Sequence, residues 1–228
     1  MKPAQLSVPR VAPSILAGDF GAVRSQVAEV LDAGARVIHI DVMDGHFVPP
    51  ITIGALIVSA LRELASEHDA LLDIHLMIER PERQIATFAS AGADIITVHA
   101  EATPHLNYVL AEIRAAGVAA GLAVCPSTPL EVYGELAGAI DLALCMSVNP
   151  GWGGQQFIDT SVGKIERLAA LLGSEVALEV DGGIAVGTGE RCKAAGAGVF
   201  VAGSAVLGAK DPAAAYVALA DAVGDPRR

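Results

Sequence analysis

Eight short β-branched or apolar runs recur along the chain, separated by stretches patterned for helix, at intervals of roughly twenty to thirty residues. In order they are RVAPSIL, RVIHIDV, LLDIHLM, DIITVHA, AAGLAV, LALCMSV, VALEVD and GVFVAG. Most of the intervening stretches read as amphipathic helices. PERQIATFASAGA opens with Pro81 in its first turn and closes on Gly92, the usual Pro-first, Gly-last asymmetry, and LNYVLAEIRAAG ends the same way on Gly117. The phrase AGA before a strand recurs at Gly34, Gly92 and Gly196 and marks short helix-to-strand turns. Eight strands alternating with helices within 228 residues predict an α/β fold, a (β/α)8 TIM barrel forming a single domain over residues 1–228. The alternative, an open doubly wound sheet, usually carries GxGxxG after its first strand; the turn here is SILAGDF.

In a barrel the active site lies at the C-terminal ends of the strands, so polar residues can be judged by position. Strand side chains alternate, and residues two apart share a face. His39, Asp41 and Met43 therefore point together in the second strand, as do Asp73, His75 and Met77 in the third. Glu179 and Asp181 align in the seventh, ahead of Gly182 and Gly183. The inward layer nearest the mouth is expected to hold His39, Asp41, His75 and Asp181. A single His on an apolar strand is more often a hydrogen-bonded core residue than a ligand. Two imidazoles and two carboxylates converging at one mouth instead make a set for one divalent cation: Zn, Fe(II), Mn or Co. His99, alone at the end of its strand in TVHAE, reads equally as a supporting or a purely structural residue.

Glycine forms the second constellation. NPGWGGQ follows strand six, DGG strand seven and AGS strand eight. Barrel enzymes often hold phosphate on backbone N–H groups of their last loops, where glycine allows close approach. These segments contain no Lys or Arg, so binding there relies on dipoles. That fits a chain of net charge -11, a balance that argues against nucleic acid as a partner. No apolar run approaches a membrane span, and the N-terminal MKPAQLSVPRVAPS lacks a signal-peptide core. The odd set Cys125, Cys145 and Cys192, without CxxC, points to reduced thiols and a cytoplasmic location.

Asp41 and Asp181 come from strands three steps apart in a ring of eight and so face each other across the mouth. One carboxylate can remove a proton beside a carbonyl; a second on the opposite face can return it with inversion. A metal between them would polarise the carbonyl and stabilise the enediolate. No Lys stands in a strand-end motif, against a Schiff-base aldolase. Met43, Met77 and Met146 would line an apolar wall, although core filling explains them as well.

APSILAGDF, HIDVMDGHFVPP, DIHLM, MSVNPGWGGQ, EVDGGI and VAGSAV, in this order over nearly the whole chain, resemble the successive motifs of the ribulose-phosphate 3-epimerase family. The resemblance implies a barrel isomerase of the pentose phosphate pathway that uses a divalent metal to interconvert D-ribulose 5-phosphate and D-xylulose 5-phosphate. It implies His39, Asp41, His75 and Asp181 as metal ligands, and Asp41 and Asp181 as the acid/base pair. Substrate contacts are implied from Ser14, His75, Gly151, Trp152, Gly153, Gly154, Asp181, Gly182, Gly183, Gly203 and Ser204. Ser14 alone would have passed for a turn serine. A homo-oligomer is also implied. One departure is Pro50, where the family usually has Asn; proline gives up an N–H and an amide side chain and restricts Pro49 before it, in the loop after strand two. A D-allulose-6-phosphate 3-epimerase is a close rival, but those relatives tend to have Ser after DG. The related decarboxylase motif DxKxxD is absent. A non-catalytic phosphosugar-binding barrel would need no base on each face.

Overall fold

Alternation of burial along each strand is what shapes this molecule. The structure, a computed structural model, describes residues 2–227; Met1 and Arg228, the ends of the expected domain, lie outside the described residues. The strands are β1 (Arg10–Pro13), β2 (Val37–Met43), β3 (Leu71–Met77), β4 (Ile95–His99), β5 (Ala119–Val124), β6 (Leu142–Met146), β7 (Ala177–Asp181) and β8 (Val199–Ala202). All pair in parallel in one eight-stranded sheet of order β1-β8-β7-β6-β5-β4-β3-β2. A bridge between Ser14 and His39 brings the β1 edge to the β2 edge and closes the ring. Seven of the eight expected runs contain their strand whole, and RVIHIDV stops one residue short of the end of β2.

Every strand residue but Asp181 is buried, as expected for a parallel sheet covered on both faces. The outward set, including Ile38, Ile40, Leu72, Ile74, Ile96 and Val98, packs against the helices. These are α1 (Val23–Asp32), α2 (Ala55–Glu67), α3 (Ile85–Ala91), α4 (Leu106–Ala115), α5 (Glu131–Leu136), α6 (Ser161–Leu172), α7 (Val186–Ala194) and α8 (Pro212–Val223). The inward set fills the barrel with Ala12, Val37, Leu71, Ile95, Leu142, Leu144 and Val199 among others. Its polar members cluster toward the C-terminal ends of β2, β3, β4 and β7.

The helix expected to open at Pro81 is divided. Arg80 enters in the left-handed region (φ 51°), and Pro81–Arg83 form a single 3-10 turn before α3 begins at Ile85. The Gln84 N–H is satisfied by the Pro81 carbonyl at 2.9 Å, an i to i+3 bond that tightens this turn. Gly92 closes α3 in a left-handed conformation (φ 103°), as its place in AGA predicts.

Candidate active site

The register of β2 and β3 sets Asp41 beside His75 and His39 beside Asp73, so strand pairing alone assembles most of the polar cluster. Asp181 joins it from β7. One donor atom from each of His39, Asp41, His75 and Asp181 lies within 4.8 Å of all the others. His39 Nε2 is 3.3 Å from Asp41 Oδ1, and His75 Nδ1 lies 3.0 Å from Asp41 Oδ1 and 3.8 Å from Asp181 Oδ2.

The cluster fits a cation on a specific observation. His39 Nε2 is buried and makes no hydrogen bond, although Asp41 Oδ1 lies 3.3 Å away. Such an orphan is costly unless something unseen satisfies it. On its other side the His39 Nδ1–H meets Asp73 Oδ2 at 2.6 Å, which fixes Nε2 as the free nitrogen. Behind this pair lies Glu179, 3.7 Å from His39 Nδ1 and fully buried. Burial and then the Asp73 charge push Glu179 well above the usual carboxylate range.

The two central aspartates have opposite electrostatic fates. Burial would raise Asp41, but His39 and His75 hold it well below the usual range. The Ser14 hydroxyl donates to Asp41 Oδ2 at 2.6 Å. Asp181 is pushed up to about 7, by burial first and then by the neighbouring Asp41 charge. His39 is lowered by burial, yet Asp41 and Asp73 together raise it well above its ordinary value. One carboxylate is thus poised to accept a proton and the other to hold one.

A cleft of about 70 Å³ opens above these groups. Ser14, Asp41 and Asp181 reach it, with Met43, Met77 and Met146 on its wall. Gly151, Trp152, Gly153 and Gly154 line it from the loop after β6, Gly182 and Gly183 from the loop after β7, and Gly203 and Ser204 after β8. Among the described residues, no Lys or Arg lines it. Gly182 is required sterically: it sits at φ 117°, and an added Cβ would lie 2.4 Å from Val148 Cγ2 and 2.8 Å from the Val148 nitrogen. Gln155 Nε2 ties the β6 loop together by donating to the carbonyls of Asn149 at 2.6 Å and Trp152 at 2.9 Å. His39 and His75, both fully buried, form the lower layer of the floor and do not line the cleft themselves.

The loop holding Pro50 is ordered by its own bonds. Asp44 accepts from the N–H groups of His46, Phe47 and Glu79 at 2.8–2.9 Å, which offset burial and hold its carboxyl below the ordinary value. The Pro50 carbonyl accepts from Gly45 N–H at 2.9 Å, and Asp44 bridges to Ile51. Asp44 is therefore a loop anchor.

His99, which the sequence left even between a supporting and a structural role, forms a second group with Glu101 beside the first. His99 Nε2 is 2.8 Å from His75 Nε2, and His99 Nδ1 is 3.1 Å from Glu101 Oε2. Burial holds His99 down at about 4. Burial opposes ionisation of Glu101, but donors from His99, Thr128 and Cys125 bring it to about 2. The HAE spacing was the available signal; the loop donors, 24 and 27 residues further on, were not.

A model of the ribulose-phosphate 3 epimerase family matches residues 10–207. A Bacillus subtilis protein named ribulose-phosphate 3-epimerase is 50% identical over 206 residues, covering 89% of this chain and 94% of its own. A Synechocystis protein of the same name is 48% identical over 210 residues, covering 90% of each chain. Among solved structures, KGPDC from Streptococcus mutans superposes with a TM-score of 0.72 at 20% identity, covering 95% of this chain and 98% of its own; that likeness speaks to the barrel alone.

Proposed function

The chain belongs to the ribulose-phosphate 3-epimerase family, and from that membership and the paired aspartates we propose that it interconverts D-ribulose 5-phosphate and D-xylulose 5-phosphate. The observation that carries this reading is the meeting of Asp41 and Asp181, from strands on opposite sides of the ring, under one cleft. Ionised Asp41 removes the C3 proton from one face of the ketose. The C3–H electron pair moves into a C2–C3 double bond, and charge collects on the C2 oxygen as an enediolate. Protonated Asp181 returns a proton to C3 from the other face, and the reverse reaction exchanges the two roles. Ser14, bonded to Asp41, orients the carboxylate that faces the substrate.

His39, Asp41, His75 and Asp181 would hold one divalent cation, Zn, Fe(II), Mn or Co, which when bound supplies Lewis acidity to the ketose oxygens. The phosphate rests on backbone N–H groups of the glycine loops, a site suited to an anion although the protein is acidic overall. The methionine wall keeps bulk water from the reacting carbon. We place the enzyme in the cytoplasm, in keeping with three free cysteines. Among the described residues, no helix is long and apolar enough to cross a membrane. Assembly into a homo-oligomer would cover Ile51 and Leu56, now 81% and 88% exposed.

Proton NMR of ribulose 5-phosphate in deuterated water, before and after chelation, tests the reading. Deuterium at C3 together with xylulose 5-phosphate, lost on chelation and restored by a divalent metal, is the expected result. No exchange in metal-replete protein would overturn the pentose assignment and direct attention to six-carbon ketose phosphates. Exchange that persists after metal removal would keep the epimerase and remove the ligand set.

A further inference from the structure

His75 offers Nδ1 to the cluster and turns Nε2 toward His99. We propose that His99 and Glu101 are positioning residues that fix the tautomer of His75, so that its Nδ1 lone pair is free for the cation; this rests on the ligand set proposed above. Two imidazole nitrogens 2.8 Å apart share one hydrogen, so His75 Nε2 and His99 Nε2 cannot both be acceptors. If His99 carries that hydrogen, neutral His75 must hold its own proton on Nδ1, aimed at Asp41 and Asp181, and cannot ligate from there. If His75 carries it, Nδ1 is free.

The choice is made on the far side of His99. Its Nδ1 faces Glu101 Oε2 at 3.1 Å, and a carboxylate accepts only, so the His99 proton is drawn to Nδ1 and its Nε2 becomes an acceptor. Glu101 is held in turn. Its Oε1 accepts from Cys125 N–H at 2.8 Å and from the Thr128 hydroxyl. The loop carrying those donors is pinned by Lys164, whose Nζ donates to the carbonyls of Cys125, Pro126 and Thr128 at 2.7, 3.1 and 2.6 Å. Phe47 and His75 pack on the His99 ring at centroid distances of 4.9 and 5.0 Å, which fixes its orientation. The orientation of one proton is therefore passed from a partly exposed carboxylate to a buried ligand.

His99, Glu101 and Cys125 also lie close enough to hold a cation themselves. Their bonds argue for the relay: both Glu101 oxygens and both His99 nitrogens already have partners.

Zn²⁺ affinity, measured by competition with a chromophoric chelator, separates the possibilities in wild type, His75→Ala, Glu101→Ala, His99→Leu and His99→Gln. Tight binding should be lost in His75→Ala. Glu101→Ala and His99→Leu should bind one ion per chain about ten- to hundredfold more weakly. His99→Gln, whose Oε1 can accept from His75 Nε2–H, should recover to within about threefold of wild type. Wild-type affinity in Glu101→Ala and His99→Leu alongside loss in His75→Ala overturns the relay and leaves the ligand set standing. Unchanged binding in His75→Ala overturns the ligand set and the relay together. A second ion in wild type that disappears in Glu101→Ala makes the trio a site of its own and also overturns the relay. Should the variants not fold, ¹⁵N shifts of the Zn-loaded wild-type protein decide: protons on His75 Nε2 and His99 Nδ1 are expected, and a proton on His99 Nε2 contradicts the proposal.

Discussion

The floor of the cleft and its rim are built by different means. The floor is made of side chains on β2, β3 and β7, set by strand register and buried so deeply that His39, His75, Asp73 and Glu179 have no exposure. The rim after β6, β7 and β8 is rich in glycine, and at Gly182 and Gly183 a side chain would clash with Val148 and Phe157. Charge is handled at the floor and shape at the rim. Damage to the floor should therefore fall on proton transfer and metal binding, and damage to the rim on substrate affinity and loop stability.

Five substitutions sharpen this division, beginning with the largest effects. Asp41→Asn and Asp181→Asn should each lower kcat by at least about a thousandfold with little change in KM, as steady-state kinetics would show. An equal fall in both variants by KM alone would make them binding residues. Asp73→Ala removes the partner that fixes His39 Nδ1–H and should weaken Zn²⁺ binding about ten- to hundredfold, read by chelator competition. At the rim, Gly182→Ala forces a Cβ against Val148; it should cost about 1–3 kcal/mol in denaturant unfolding and raise KM more than it lowers kcat. The smallest effect lies outside both regions. His68 at the end of α2 is raised by its bond to the Leu64 carbonyl and by Asp32, so this contribution is complete below the unfolded pKa of about 6.5 and fades as pH rises through the folded value. With Asp32 largely exposed, His68→Ala should remove only a few tenths of a kcal/mol of that pH dependence, measured by urea unfolding across this range.

Legibility follows the same division. HIDVM and DIHLM gave away the floor because a period of two allows only one face to point inward, and parallel pairing puts Asp41 beside His75. The glycine loops were visible as composition, but their closing bonds from Gln155 were not, since loop conformation has no period. Pro81 misled for a local reason: the left-handed Arg80 before it isolates a 3-10 turn from α3. His75, expected to meet substrate, is fully buried below the residues that line the cleft, with Nδ1 toward Asp41 and Nε2 toward His99. The support of His99 by Glu101, Thr128 and Lys164 joins three separate parts of the chain and follows from no local pattern.

The two-aspartate account is tested most directly by following loss of the C3 hydrogen to deuterated water from each ketose phosphate separately, in metal-loaded Asp41→Asn and Asp181→Asn. Neither variant should epimerise, and each should exchange the C3 hydrogen of only one epimer, Asp41→Asn that of one sugar and Asp181→Asn that of the other. Exchange of the same epimer by both variants, or continued epimerisation by either, would contradict the assignment of one aspartate to each face.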